Sequence, residues 1–175
     1  MSSSFPLVYV SLLLVLLSIA AGTIFRQILK TRRVEVTLSR LQEKLTKEQG
    51  TAQEYYELGS IYLDKKIFAQ AIALFQKALK ANDLDEQQSA AVYNALGFSY
   101  FGQEQFDLAI RQYKEALKTD PNYVTALNNL GHAYERKQLI APALEAYEQA
   151  LAIDGNNETA KRRAESLRKR FVPSA

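Results

Sequence analysis

The chain has no cysteine and no tryptophan, and only one methionine, one histidine and four prolines among its 175 residues. Without cysteine there are no disulfides and no thiolate metal centres, and cysteine usage says nothing about the redox compartment. The single histidine, His132, shares a helical face with Glu135. Two such groups fall short of a metal site, which needs three or four ligands. No glycine-rich phosphate loop, nucleophile motif or pair of acids beside an apolar pocket is found in the sequence. The chain therefore reads as a non-enzyme, with no cofactor, metal or small-molecule substrate.

Acidic and basic residues are absent from one long stretch, the 21 residues from Phe5 to Phe25, after a four-residue tail (1–4). As a helix this segment spans about 30 Å, the thickness of a bilayer core, which predicts a single transmembrane helix over 5–25. A cleaved secretory signal is the competing reading, because Ser18-Ile19-Ala20 resembles a small-residue cleavage site. Against it, no Lys or Arg precedes the apolar run, whereas Arg26, Lys30, Arg32 and Arg33 follow it directly. That asymmetry keeps the C-terminal side cytoplasmic, or stromal in a plastid. The N-terminus also lacks the Ser- and Arg-rich amphipathic pattern of a transit peptide.

The net charge of +3 conceals a segregation. Residues 51–157 hold nine Lys/Arg against fourteen Asp/Glu, a net −5. Residues 26–50 hold seven against three, and residues 158–175 six against two, each a net +4. The basic character thus lies in two flanks, and nucleic-acid binding by the central region is not indicated. The flanking cations Arg26, Lys30, Arg32, Arg33, Lys161, Arg162, Arg163, Arg168, Lys169 and Arg170 form a candidate lipid or partner patch. Within 26–50, Val34, Leu38, Leu41 and Leu45 make one apolar stripe, which predicts a juxtamembrane helix ending near Gly50. Two heptads are too few to establish a coiled coil.

The central region repeats one pattern three times. Tyr55, Leu58, Gly59, Tyr62, Ala71, Phe75 and Ala78 recur as Tyr93, Leu96, Gly97, Tyr100, Ala109, Tyr113 and Ala116. They recur again as Leu127, Leu130, Gly131, Tyr134, Ala143, Tyr147 and Ala150. Gly97 and Gly131 are 34 residues apart and Gly59 and Gly97 are 38 apart, so four extra residues fall in the region 82–88. The spacings are those of paired helices, with small residues where the helices approach and large ones beside them; Gly97 is expected to face Ala109 and Ala116. The expected units are 52–85, 90–123 and 124–157, followed by a capping helix over 158–171. Asp107 is expected to cap the second helix of the middle unit, and Asp120-Pro121 to start the next helix as N-cap and N1. Pro142 is expected in the first turn of its helix, where it is tolerated.

A 34-residue helix-turn-helix period with these residues resembles the tetratricopeptide repeat. That resemblance implies an all-α solenoid of three hairpins whose first helices line a concave groove; the apolar run adds one transmembrane helix before it. The groove positions are Tyr56, Ser60 and Leu63, then Asn94, Phe98 and Phe101, then Asn128, His132 and Glu135. Phe98 and Phe101 suit a peptide or helix anchor, unless the juxtamembrane helix or the insertion covers them. The carboxylate clamp of chaperone-binding tetratricopeptide proteins is absent, because its positions hold Tyr56, Ser60, Ala95, Thr125 and Asn129.

Three runs carry a closer resemblance: Gly50 to Lys66, which includes Tyr55-Tyr56-Glu57-Leu58-Gly59, then Tyr93 to Phe98, and Leu127 to Glu135. They resemble the thylakoid tetratricopeptide proteins of cyanobacteria and algal plastids that assist photosystem I assembly and stability. The resemblance implies a thylakoid anchor, repeats on the cytoplasmic or stromal side, and photosystem I subunits or assembly intermediates as partners. The alternative is a general membrane-tethered scaffold or receptor that recruits a soluble partner outside photosynthesis.

Overall fold

The computed structural model describes residues 4–81 and 83–171, among which there are eight helices and no strand. They divide into two units at Lys47/Glu48. The first unit is one helix, α1 (Ser4–Lys47), whose 44 residues give a length of about 66 Å. The anchor and the juxtamembrane helix, expected as separate segments meeting at Phe25/Arg26, are therefore continuous. Neither Gly nor Pro occurs from Thr23 to Gln49, so nothing interrupts the backbone, and the helix ends at Lys47, three residues before Gly50 and close to the expected end. Every side chain from Leu12 to Leu17 is more than half exposed. Among the described residues α1 is the one helix long and apolar enough to cross a membrane. A helix satisfies its own backbone hydrogen bonds, as a bilayer interior requires.

The second unit is a stack of hairpins. α2 (Ala52–Asp64) pairs with α3 (Phe68–Lys80), α4 (Glu86–Gly102) with α5 (Phe106–Thr119), and α6 (Val124–Arg136) with α7 (Ile140–Ile153); α8 (Glu158–Phe171) follows. Each helix packs on the next, and the first helices of neighbouring hairpins also meet, α2 with α4 and α4 with α6. The hairpins close on a ring set against a glycine. A methyl group at Gly59 would stand 2.7 Å from the Phe75 ring, one at Gly97 2.7 Å from Tyr113, and one at Gly131 2.8 Å from Tyr147. The nearest atoms to a methyl group at Gly97 are that ring and the Ala109 carbonyl at 3.2 Å, so Gly97 faces Ala109 as expected, with the Tyr113 ring between the helices.

Each hairpin turn uses a left-handed residue that is not glycine: Lys66, Glu104 and Gln138, with φ of 59°, 60° and 60°. The following amide bonds back to a tyrosine carbonyl one turn inside the first helix. These bonds are Ile67 to Tyr62 at 2.8 Å, Gln105 to Tyr100 at 3.0 Å and Leu139 to Tyr134 at 2.9 Å. This is the closure that satisfies the last carbonyls of a helix.

The four extra residues of the middle unit lengthen α4, which has 17 residues where α2 and α6 have 13. Asp85 starts that added turn with a reciprocal cap, accepting from Gln88 N at 2.7 Å while Gln88 Oε1 accepts from Asp85 N at 3.1 Å. The middle unit thus begins at Glu86 rather than at 90. Asp107 does not cap α5, whose N-cap is Gln105 without a side-chain bond; Asp107 instead pairs with Lys137 of the next hairpin. Nor does Asp120-Pro121 start α6. The Asp120 carboxylate accepts from Asn122 N at 3.0 Å, folding a turn that delays the helix to Val124. Pro142 stands third in α7, in its first turn as expected.

α8 buries Ala160, Ala164 and Leu167 in one cluster with Leu127, Ala143, Tyr147 and Ala150, and so closes the third hairpin. Ala109→Leu, at a fully buried position, and Gly97→Ala, against the Tyr113 ring, are each expected to cost about 1 to 3 kcal/mol by overpacking. Urea unfolding of residues 48–175 measures this, and unchanged midpoints would contradict the packing described.

Candidate partner-binding groove

The groove positions divide into three stretches of different chemistry. The first is polar. Asn94 Nδ2 donates to the Tyr123 hydroxyl at 3.4 Å, and Asn129 Nδ2 donates to Asn94 Oδ1 at 2.9 Å, tying α6 to α4. Burial, and then the nearby Tyr56, hold the Tyr123 hydroxyl above the usual tyrosine value. The Tyr56 ring packs on Phe75 with centroids 5.8 Å apart, while Ser60 and Leu63 are half-buried on α2. One repeat on, Asn128 Nδ2 donates to Asn157 Oδ1 at 3.3 Å, and the same oxygen caps α8 by accepting from Ala160 N at 2.9 Å.

The second stretch is aromatic, and its two phenylalanines differ. Phe98 is 45% exposed. Phe101 is engaged: it lies edge-on to Phe106 at 5.3 Å and against His132 at 4.8 Å, with the Arg136 guanidinium 5.7 Å from its centre. Arg136 is closer still to Phe106, at 4.7 Å, and its Nη2 stands 3.4 Å from Glu104. A cation shared by two rings braces the ends of α4 and α6. Burial first, and then Arg163, lower the pKa of His132 below its ordinary 6.5, against an opposing pull from Glu135.

In the third stretch Glu135 turns inward. It accepts from the Tyr147 hydroxyl at 2.6 Å and from Arg163 Nη1 of α8 at 3.5 Å. His132 and Glu135, neighbours in sequence, thus have separate partners. Of the basic residues, Arg163 is held by Glu135, and Arg168 reaches Glu148 through Nη2 at 2.7 Å. Lys161, Arg162, Lys169 and Arg170 of α8 are exposed, as are Arg26, Lys30, Arg32 and Arg33 of α1. The sequence reading named Asn129 only as a clamp position without a cation and did not foresee its bond to Asn94, and it missed Tyr123.

Family matches agree with this architecture: tetratricopeptide repeats over 52–83 and 124–157, and a TPR repeat over 99–138. The chain is a tetratricopeptide repeat protein, with the fold of a protein-interaction scaffold. It is a homologue of the chloroplastic tetratricopeptide repeat domain-containing protein PYG7 of Arabidopsis thaliana. The two are 40% identical over 126 residues, covering 72% of this chain and 42% of that protein. It is also 37% identical over 87 residues to ycf37 of Guillardia theta, covering 50% of this chain and 49% of that protein. The chain spans less than half the length of these curated relatives. Among solved structures, YrrB, described as a TPR protein with an unusual peptide-binding site, superposes with a TM-score of 0.68 at 21% identity. The match covers 81% of this chain and 71% of YrrB, and it shows the fold.

Two outcomes are expected. Tyr147→Phe removes a donor to Glu135 and lowers unfolding stability by about 1 to 3 kcal/mol, measured by chemical denaturation. Because folding depresses the His132 pKa, the unfolded chain binds the proton more readily. His132's contribution to stability is therefore complete above pH 6.5 and declines as pH falls through the window below it. His132→Gln should flatten that slope, and an unchanged slope would assign it to another group.

Proposed function

We propose that this chain is a membrane-anchored, non-catalytic factor in photosystem I assembly or stability, binding a subunit or assembly intermediate in its groove. The observation that carries the reading is the similarity to chloroplastic PYG7 over 72% of the chain. The photosystem comes from the resemblance of the runs 50–66, 93–98 and 127–135. On this reading α1 holds the chain in the thylakoid membrane with the repeats on the cytoplasmic or stromal side, in keeping with Arg26, Lys30, Arg32 and Arg33 following the apolar run. Tethering raises the local concentration of both partners, so modest affinity suffices. The exposed Phe98 is the expected anchor in the groove.

The test is affinity capture of the tagged chain from mildly solubilised membranes beside Phe98→Ala, read by mass spectrometry. Photosystem I subunits should accompany the native chain and be depleted with the variant. Equal recovery moves the site away from Phe98. Recovery of an unrelated complex in their place refutes the photosystem reading and favours a general scaffold.

A further inference from the structure

The outer face of the stack carries a pocket that the groove does not account for. Leu130 and Tyr134 of α6 form its floor, and Lys114 of α5 stands on one wall. Pro142, Glu145, Ala146 and Gln149 of α7 make the other wall, and the volume is about 270 Å³. Leu130 and Tyr134 each stand two positions from His132, about 200° around the helix. Pocket and groove therefore lie on opposite sides of α6.

One repeat earlier the same register is bridged. Gln76, Leu108 and Gln112 stand there in place of Lys114, Pro142 and Ala146. Gln76 Nε2 donates to the Tyr100 hydroxyl at 3.1 Å and ties α3 to α4. At the later junction Lys114 lies over the equivalent ring instead, its Nζ 5.9 Å from the centre of Tyr134. Among the described residues the Tyr134 hydroxyl has no hydrogen-bond partner and Lys114 has no ion pair. A lost bridge and the small Ala146 on α7 open the pocket at this junction.

We propose that this pocket takes the side chain of a tyrosine presented by a partner protein. Leu130, Pro142, Ala146 and the Tyr134 ring make an apolar bed. An apolar cavity of about 150 Å³ holds a benzene ring, so this one admits a phenol. The rim fixes the polar end. Lys114 donates and Glu145 accepts; Gln149 Nε2 bonds Glu145 Oε1 at 3.3 Å and leaves Oε2 to the occupant. A phenol hydroxyl does both, donating and accepting. A carboxylate would meet Glu145 and the net −5 of residues 51–157, and a cation would meet Lys114, so formal charge of either sign is opposed. A phenylalanine would fill the bed and leave both rim groups unpaired.

The carrier is a protein because the pocket is open. Lys114, Glu145 and Gln149 are exposed, so a ring seated here is shielded from water only when a larger surface covers it. Sites for small molecules bury most of their ligand by themselves. The pocket is independent of the groove, and a chain occupied at both holds two proteins on opposite sides of α6.

The test is ligand-observed saturation-transfer NMR on the full chain in neutral phosphatidylcholine nanodiscs, with empty nanodiscs as the blank. The probes are N-acetyltyrosinamide, N-acetylphenylalaninamide and 4-hydroxyphenylacetamide, a phenol without the peptide backbone. The tyrosine probe should bind, and the phenylalanine probe should bind about tenfold more weakly. Lys114→Gln/Pro142→Leu/Ala146→Gln rebuilds the bridged register and should abolish tyrosine binding. Phe98→Ala, on the groove side, should leave it intact. No binding of the tyrosine probe, equal binding of the phenylalanine probe, or full binding to the rebuilt variant would overturn the proposal. Loss of binding in Phe98→Ala would move the ring to the groove, and tighter binding of 4-hydroxyphenylacetamide would assign the pocket to a free phenol; either refutes the partner tyrosine. The comparison of probes on the native chain decides the matter even where the rebuilt variant fails to fold.

Discussion

The solenoid depends on a ring laid against a helix at a residue that has no side chain. Phe75 on Gly59, Tyr113 on Gly97 and Tyr147 on Gly131 bring the two helices of each hairpin closer than any Cβ would allow. Since the same contact recurs in every hairpin, the helices meet in the same way each time, and positions separated by the repeat length come to lie side by side. The groove is therefore a by-product of the core. Its chemistry is free to vary because the packing that aligns it uses other residues, which is why one scaffold serves many ligands.

The third hairpin shows how closely core and groove are joined. Tyr147 fills the space over Gly131 with its ring and holds Glu135 with its hydroxyl, while Glu135 also holds Arg163 of α8. One residue thereby secures the hairpin, aims a groove carboxylate inward and helps position the closing helix. At the opposite edge of α6, Arg136 lies over both Phe101 and Phe106. Phe98, on α4, stays 45% exposed.

The helices were legible in the sequence because small and large residues recur at helical spacing, and the glycine of each hairpin marks its closest contact. The faces followed from the same spacing. What the sequence did not show was where polar side chains find partners, since Asp107 meets Lys137 and Glu135 meets Arg163 across 30 and 28 residues. The turns were also obscure. Lys66, Glu104 and Gln138 hold left-handed backbones without being glycine, and Asp120 spends its carboxylate on a turn rather than a helix start. Their placement depends on the hairpin already being closed.

Closure of the third hairpin by α8 bears on how the chain is made. Ala160, Ala164 and Leu167 complete the cluster around Leu127 and Tyr147, yet all three are translated after the hairpin they cover. At about 5 to 20 residues per second, the ribosome leaves that apolar surface open for roughly a second or more while α8 emerges. During that interval α8 of a neighbouring chain is an equally good cover. Crowded synthesis therefore favours exchange of α8 between copies, a hazard that spaced ribosomes avoid.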